Sequence, residues 1–274
     1  MDDHAWFTIH RPDPAVALPI IIHVPHASRF VPMHCHGDFV LTEAQLREVI
    51  EALVDHDTDR LALPLVALGA HVVVNNVCRV VMDPERYAAD ADEIAAVWGM
   101  GAIYVHAHDG RRLRRRNWGP DDRAERMDEF YHPYHRAMRD LVVDLRERFD
   151  APVHIIDLHS FPQAPLPYET DASSRPWYCL GYDETHAPRN WLAWWTGRAA
   201  GAPGLIDHNR PFAGAFVPGD LPPHAADTRS MMVEVNRTLV PVGGPDHPLL
   251  AHVHDFLRFA CEDVRTSVVE GSRR

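Results

Sequence analysis

The stretch P-I-I-I-H-V-P-H-A-S, residues 19–28, decides how the chain is read. Three isoleucines and a valine make a short apolar run of the kind that forms a buried strand. Such a run normally finishes in turn residues, yet this one carries His23 inside it and His26 directly after Pro25. A buried strand that ends by presenting imidazoles points to a polar site at the rim of a sheet.

Similar runs recur at 71–77 (H-V-V-V-N-N-V), 153–158 (V-H-I-I-D-L), 177–182 (W-Y-C-L-G-Y), 204–209 (G-L-I-D-H-N) and 231–236 (M-M-V-E-V-N). Helical patterns separate most of them. Thr42 and Gln45 make a capping box before a stripe of Leu46, Val49, Ile50 and Leu53. A short helix follows in R-L-A-L-P-L-V-A-L and ends at Gly69. A long one is predicted over 121–148 with a kink at Pro133, another starts near Thr185 with Pro188 in its first turn, and the last covers 246–268. Alternating strands and helices predict an α/β fold, a mostly parallel mixed sheet flanked by helices. With no repeat or linker, residues 1–274 are expected to form a single domain, and F-P-Q-A-P-L-P-Y (161–168) a loop on the active-site side.

Composition removes several functional classes. The formal charge of -12 repels a phosphate backbone, so nucleic acid is not an expected partner. Every basic residue is arginine. Without lysine there is no Schiff-base lysine, no nucleotide-binding P-loop lysine and no Ser-Lys pair. No G-x-S-x-G elbow or H-E-x-x-H helix occurs either. The four cysteines stand apart, and neither a signal segment nor a membrane-spanning run is present, which fits a cytoplasmic protein that acts on a small molecule without a membrane partner. No pattern in the chain bears on oligomeric state.

In open α/β sheets ligands bind beyond the carboxyl ends of the strands. There the sequence places His26, the pair Asp55 and Asp57 in D-H-D, and His159 in D-L-H-S. Two histidines and one carboxylate make a three-ligand site for Zn2+ or another divalent metal, with a position left open as catalysis requires. Glu234, in a late strand, is the candidate proton carrier. Asp157 shares a face with His159, where it is suited to orient a ligand, to support the loop or to cap a turn. Arg79, Arg86 and Arg237 lie near strand ends, where a guanidinium suits a substrate carboxylate. His23 is read as structural, H-C-H (34–36) and H-A-H (106–108) as belonging to no site, and Asp59 as a helix-start or surface acid. The run R-R-L-R-R-R (111–116) is read as a solvated loop, and the tryptophans of W-L-A-W-W as packing.

H-V-P-H-A-S, D-H-D, C-R-V-V-M-D-P-E-R, F-Y-H-P-Y-H-R-A-M-R, D-L-H-S and V-E-V-N-R resemble, in order and spacing, the motifs of the N-formylglutamate amidohydrolases across about residues 19–240. The resemblance implies a zinc-carboxypeptidase-like α/β fold and hydrolysis of N-formyl-L-glutamate to formate and glutamate in histidine breakdown. Carried over by motif, it implies His26, Asp55 and His159 at the metal, Glu234 in catalysis, and Tyr134 and His135 facing the site from the long helix. His135 is expected to be catalytic; Tyr134, Asn209, Arg79, Arg86 and Arg237 are expected to bind substrate. The chain departs from the pattern in four places. Cys78 replaces a serine, Glu85 an asparagine and Asp57 a histidine, so the ligand can be Asp55 or Asp57, and the segment 209–218 is poorer in glycine. These departures touch substrate recognition more than metal binding. They leave a zinc hydrolase of another N-acyl amino acid or small peptide, or a non-catalytic metal- or partner-binding protein of the same fold, as alternatives.

Overall fold

A computed structural model describes residues 2–4, 6–167, 169, 175–200, 204–239 and 250–271. Its centre is an eight-stranded mixed sheet ordered β1-β2-β4-β3-β5-β8-β6-β7. The strands are β1 (Asp2–His4), β2 (Phe7–His10), β3 (Ile20–Val24), β4 (His71–Asn75), β5 (His154–Phe161), β6 (Tyr178–Gly181), β7 (Ile206–His208) and β8 (Arg229–Asn236). The middle, β4-β3-β5-β8, is parallel throughout, whereas β1, β2 and β6 join antiparallel.

Alternation along each strand sends neighbouring side chains to opposite faces. On one face Ile21, Val73 and Ile155 pack with Leu46, Val49, Ile50 and Leu53 of α1 (Glu43–Leu53) and with Tyr134, Met138, Leu141 and Leu145 of α4 (His132–Phe149). On the other face Ile20, Ile22, Ile156, Leu158 and Val233 pack with three helices. These are α2 (Thr58–Ala62), α5 (Arg189–Ala199), which supplies Trp191 and Trp195, and α6 (Leu250–Gly271), which supplies Phe256. Burying each of these isoleucines contributes about 2–3 kcal/mol. The face beneath α4 changes character along the strands. It is apolar at Ile21 and Ile155 and then runs into His23, Asp157, His159 and Glu234, all buried.

The expected strands and α1 form where the patterns place them, and the Thr42 box closes, with Gln45 N donating to Thr42 Oγ1 at 3.3 Å and Thr42 N donating to Gln45 Oε1 at 3.0 Å. Several details differ. β5 runs on through Phe161, so His159 lies within the strand and not beyond it. The long helical region starts as α3 (Pro120–Arg126) and is interrupted before Pro133 by a π-type turn over Met127–Tyr131. The third helix starts at Arg189 because Pro188 sits as its cap. The last runs to Gly271, and the expected start at 246–249 lies outside the described residues. β1 and β2 have no counterpart among the expected strands. Arg114 is fully buried, 4.4 Å over Phe39 and 4.6 Å over Trp118, so that part of the arginine run is core and not solvated loop.

Candidate active site

Three segments meet toward the carboxyl edge of the parallel strands: the turn after β3, the chain leaving α1, and the later residues of β5. Pro25 turns the chain out of β3, and its carbonyl accepts from Asn75 Nδ2 at 2.9 Å, which fixes the approach to His26. The chain leaving α1 is tied to the same place, because Asp55 N donates to the His26 carbonyl at 3.0 Å. His159 comes from β5, in register with Glu234 of β8 and two residues past Asp157, which is in register with His23 of β3.

The donors converge closely. His26 Nδ1 lies 3.3 Å from His159 Nδ1, and Asp55 Oδ2 lies 2.9 Å from the latter and 3.7 Å from the former. Four ligands around a tetrahedral ion at about 2.1 Å stand about 3.4 Å apart, so the spacing suits zinc. The far side of each ring supports the same reading. His26 Nε2 is 2.8 Å from Asp83 Oδ1, and His159 Nε2 is 3.1 Å from Asp157 Oδ1. A carboxylate that holds Nε2–H leaves Nδ1 as a lone pair, and two such lone pairs facing each other call for a cation between them. His26, Asp55 and His159 therefore fit a divalent metal ion. Glu85 also stands within ligand range of the two histidines, but its contact, 3.2 Å, is to His159 Nε2, the nitrogen Asp157 holds.

The charges are mutually sustaining. Burial raises the pKa of Asp83, yet Arg79, His26 and Arg86 outweigh it and hold the carboxyl well below its usual range. Burial acts likewise on Asp157 and Asp55, and their histidine partners keep both low. For His159 burial depresses the pKa, but Glu85, Asp157 and Asp55 together raise it well above that of an ordinary imidazole. Glu234 is the exception: burial dominates and pushes its pKa up to about 8. Its Oε2 is buried without a hydrogen-bond partner. A carboxyl beside the metal ligands, poor in partners and easily protonated, is suited to carry a proton.

His26, Asp55, Asp157, His159 and Glu234 line a pocket of about 460 Å³, the size of an amino-acid derivative. Arg79, Arg86 and Arg237 also line it, as do Pro162 and Leu166 of the proline-rich loop and Glu169 just after it; Tyr168, the last residue of that loop as expected, lies outside the described residues. Phe212 and Phe216 of the 209–218 segment line it too, held by Phe216 N donating to Asp157 Oδ2 at 3.1 Å.

The other expected site residues do not line this pocket. Asp57 adopts a left-handed conformation, φ 57°, which turns its side chain to Arg60 at 3.3 Å, so Asp55 alone of the pair meets the histidines. Tyr134 is fully buried, its ring 5.5 Å from that of Phe7 and 5.9 Å from that of His23. Asn209 Oδ1 accepts from Tyr182 N at 2.9 Å and Gly214 N at 3.4 Å, shaping the loop that carries Phe212 and Phe216. His135 lies against Tyr131, ring centroids 4.0 Å apart, and lines an adjoining hollow that shares Glu85, Arg86 and Phe216 with the pocket. Asp83 is the participant to which the sequence reading assigned no role. It lay within C-R-V-V-M-D-P-E-R, and only the folded chain brings it to His26.

A comparison with curated protein sequences finds no match. Among solved structures, the crystal structure of N-formylglutamate amidohydrolase from Ralstonia eutropha JMP134 superimposes with a TM-score of 0.77 at 21% identity, covering 98% of this chain and 100% of that one. The Agrobacterium tumefaciens gene product Atu2144 gives 0.68 at 17% identity, with 96% of each chain covered. Both share the fold. The sequence model of the N-formylglutamate amidohydrolases matches residues 18–240, and the chain belongs to that family.

Proposed function

We propose that this protein is a metal-dependent amidohydrolase that cleaves the acyl amide of an N-acyl amino acid, for which N-formyl-L-glutamate, the compound in the family's name, is the reference substrate. The observation that carries the reading is the facing pair of Nδ1 atoms, 3.3 Å apart, with Asp55 alongside and a carboxylate behind each ring. His26, Asp55 and His159 would hold the ion, zinc first by donor type. When bound, a divalent cation supplies Lewis acidity toward the amide carbonyl and lowers the pKa of water.

The protein's own groups do the rest. Asp83 and Asp157 fix the tautomers of the two histidines. Glu234 takes a proton from the attacking water and passes it to the departing nitrogen, so that water and amide become carboxylate and amine. The arginines and aromatic walls orient the amino-acid part within the pocket. Nothing in this scheme requires His135.

Metal analysis of the purified protein, with formate release from N-formyl-L-glutamate as the assay, tests the reading. Activity that is lost on chelation and restored by a divalent ion is the expected result. Protein that binds no divalent ion, and that none activates, would end it. Glu234→Gln is expected to lose at least about a hundredfold in kcat while keeping its metal; unchanged turnover would remove Glu234 from the mechanism.

A further inference from the structure

We propose that Glu85 makes this pocket select N-acyl amino acids whose side chain donates hydrogen bonds, such as a primary amide, over those whose side chain is a carboxylate. The inference rests on reading the site as an N-acyl amino acid hydrolase and concerns which amino acid it takes. Glu85 stands at the pocket wall on a turn fixed by its own N–H, which donates to Asp83 Oδ1 at 3.1 Å. Its side chain is 14% exposed, with Oε2 3.2 Å from His159 Nε2 and Oε1 3.6 Å from His23 Nδ1. Oε1 is buried without a hydrogen-bond partner. The carboxylate thus has acceptor capacity that its neighbours do not meet.

The arginines on the same wall do not offset it. Arg79 donates through Nε and Nη2 to Asp83 Oδ2 at 3.1 and 2.8 Å, and Arg86 Nε stands 3.7 Å from the same oxygen. Both guanidinium groups are thus directed at Asp83 on that side of the pocket. Glu169 and Glu234 add further acid to the lining. Arg237 also lines the pocket, donating to the Ala52 carbonyl at 3.0 Å and standing 3.5 Å from Asp55, and is the guanidinium we assign to the one carboxylate that every N-acyl amino acid carries. A second carboxylate directed at Glu85 meets like charge in a partly desolvated pocket, whereas an amide of the same size meets an acceptor.

N-formyl-L-glutamine and N-formyl-L-glutamate differ in that one group and in nothing else of comparable size. In the zinc-loaded wild type, kcat/KM is expected to be roughly tenfold or more higher for the glutamine compound, and L-glutamine is expected to inhibit more strongly than L-glutamate. Glu85→Gln and Glu85→Asn should each move the ratio toward glutamate by a similar factor, mainly through KM, with metal content unchanged. The near-isosteric glutamine variant guards against a folding defect. A wild type that prefers the glutamate compound, or a ratio that neither variant moves, overturns the proposal. So does loss of metal in the variants, which would make Glu85 a ligand. If the metal-loaded wild type turns over neither compound, the hydrolase reading falls and this one with it; turnover with an unmoved ratio removes only the role of Glu85.

Discussion

Asp83 and Asp157 bond to no substrate in the proposed site, yet they decide what the two histidines can be. Each holds an Nε2 proton, at 2.8 and 3.1 Å, and so commits the opposite nitrogen to a lone pair. Asp157→Asn keeps the shape and removes the charge, and the amide can donate where the carboxylate could only accept. Metal affinity is expected to fall about 10- to 100-fold, as for other partners of metal-bound histidines, and a competition titration with a chelator measures it. An unchanged affinity would mean that His159 is oriented by something else. The sequence made part of this legible. His26 and His159 attract notice because imidazoles interrupt apolar strand runs, and Asp157 because two positions on a strand share a face. Asp83 does not, since its partner lies 57 positions away and neither residue's local pattern names the other. Asp55 and Asp57 could not be told apart by spacing, because what separates them is one left-handed backbone angle at Asp57.

The strands that carry chemistry also constrain the wall beside it. Gly181 ends β6, opposite Met232 of β8, and a Cβ there would lie 2.3 Å from the carbonyl oxygen of Gly214 and 2.2 Å from Met232 Cε. The methionine end can move, but the Gly214 backbone belongs to the loop that brings Phe212 and Phe216 to the pocket. Gly181→Ala is therefore expected to cost about 1–3 kcal/mol by overpacking and to raise KM through the displaced loop. Urea denaturation and steady-state kinetics read the two effects separately, and a variant with wild-type stability would show that the loop gives way freely. The same region marks the limit of reading elements from pattern. β3, β4, β5 and β8 were legible as apolar runs, whereas β1 and β2 are three and four residues long and pair only because the chain folds back onto β4. The arginine run at 111–116 reads as solvent-facing by composition, but Arg114 is drawn inside by Asp38 at 3.7 Å and by two aromatic faces.

Taken together, the buried groups predict how the fold responds to acid. His71 is 3% exposed at the start of β4, where burial, assisted by Arg11, pushes its pKa down to about 4; His154, at the start of β5, is also pushed down to about 4, chiefly by burial. In the unfolded chain both titrate near 6.5. Above that pH both are neutral in either state and contribute no slope. As pH falls below about 6.5 the unfolded chain binds protons first, so stability is lost progressively until pH 4, where the folded imidazoles also protonate and the loss levels off. For His71 the full loss is on the order of 3 kcal/mol. The aspartates at the site act in a different window. Asp55, Asp83 and Asp157 are held below the ordinary carboxylate range, so the stability they confer is present above about 3.8 and is lost only below it. His135, also pushed down to about 4 by burial, costs stability in the same window as His71 and His154, whereas Glu234, raised to about 8, adds stability as the pH falls from 8 toward 4.5, so the change between pH 6.5 and 4 is the balance of these groups. Urea denaturation of wild type and His71→Gln at pH 7 and pH 4.5 isolates the share of His71: the variant should lose distinctly less stability than the wild type. Equal losses would show that His71 takes no part and that the acid response arises elsewhere in the fold.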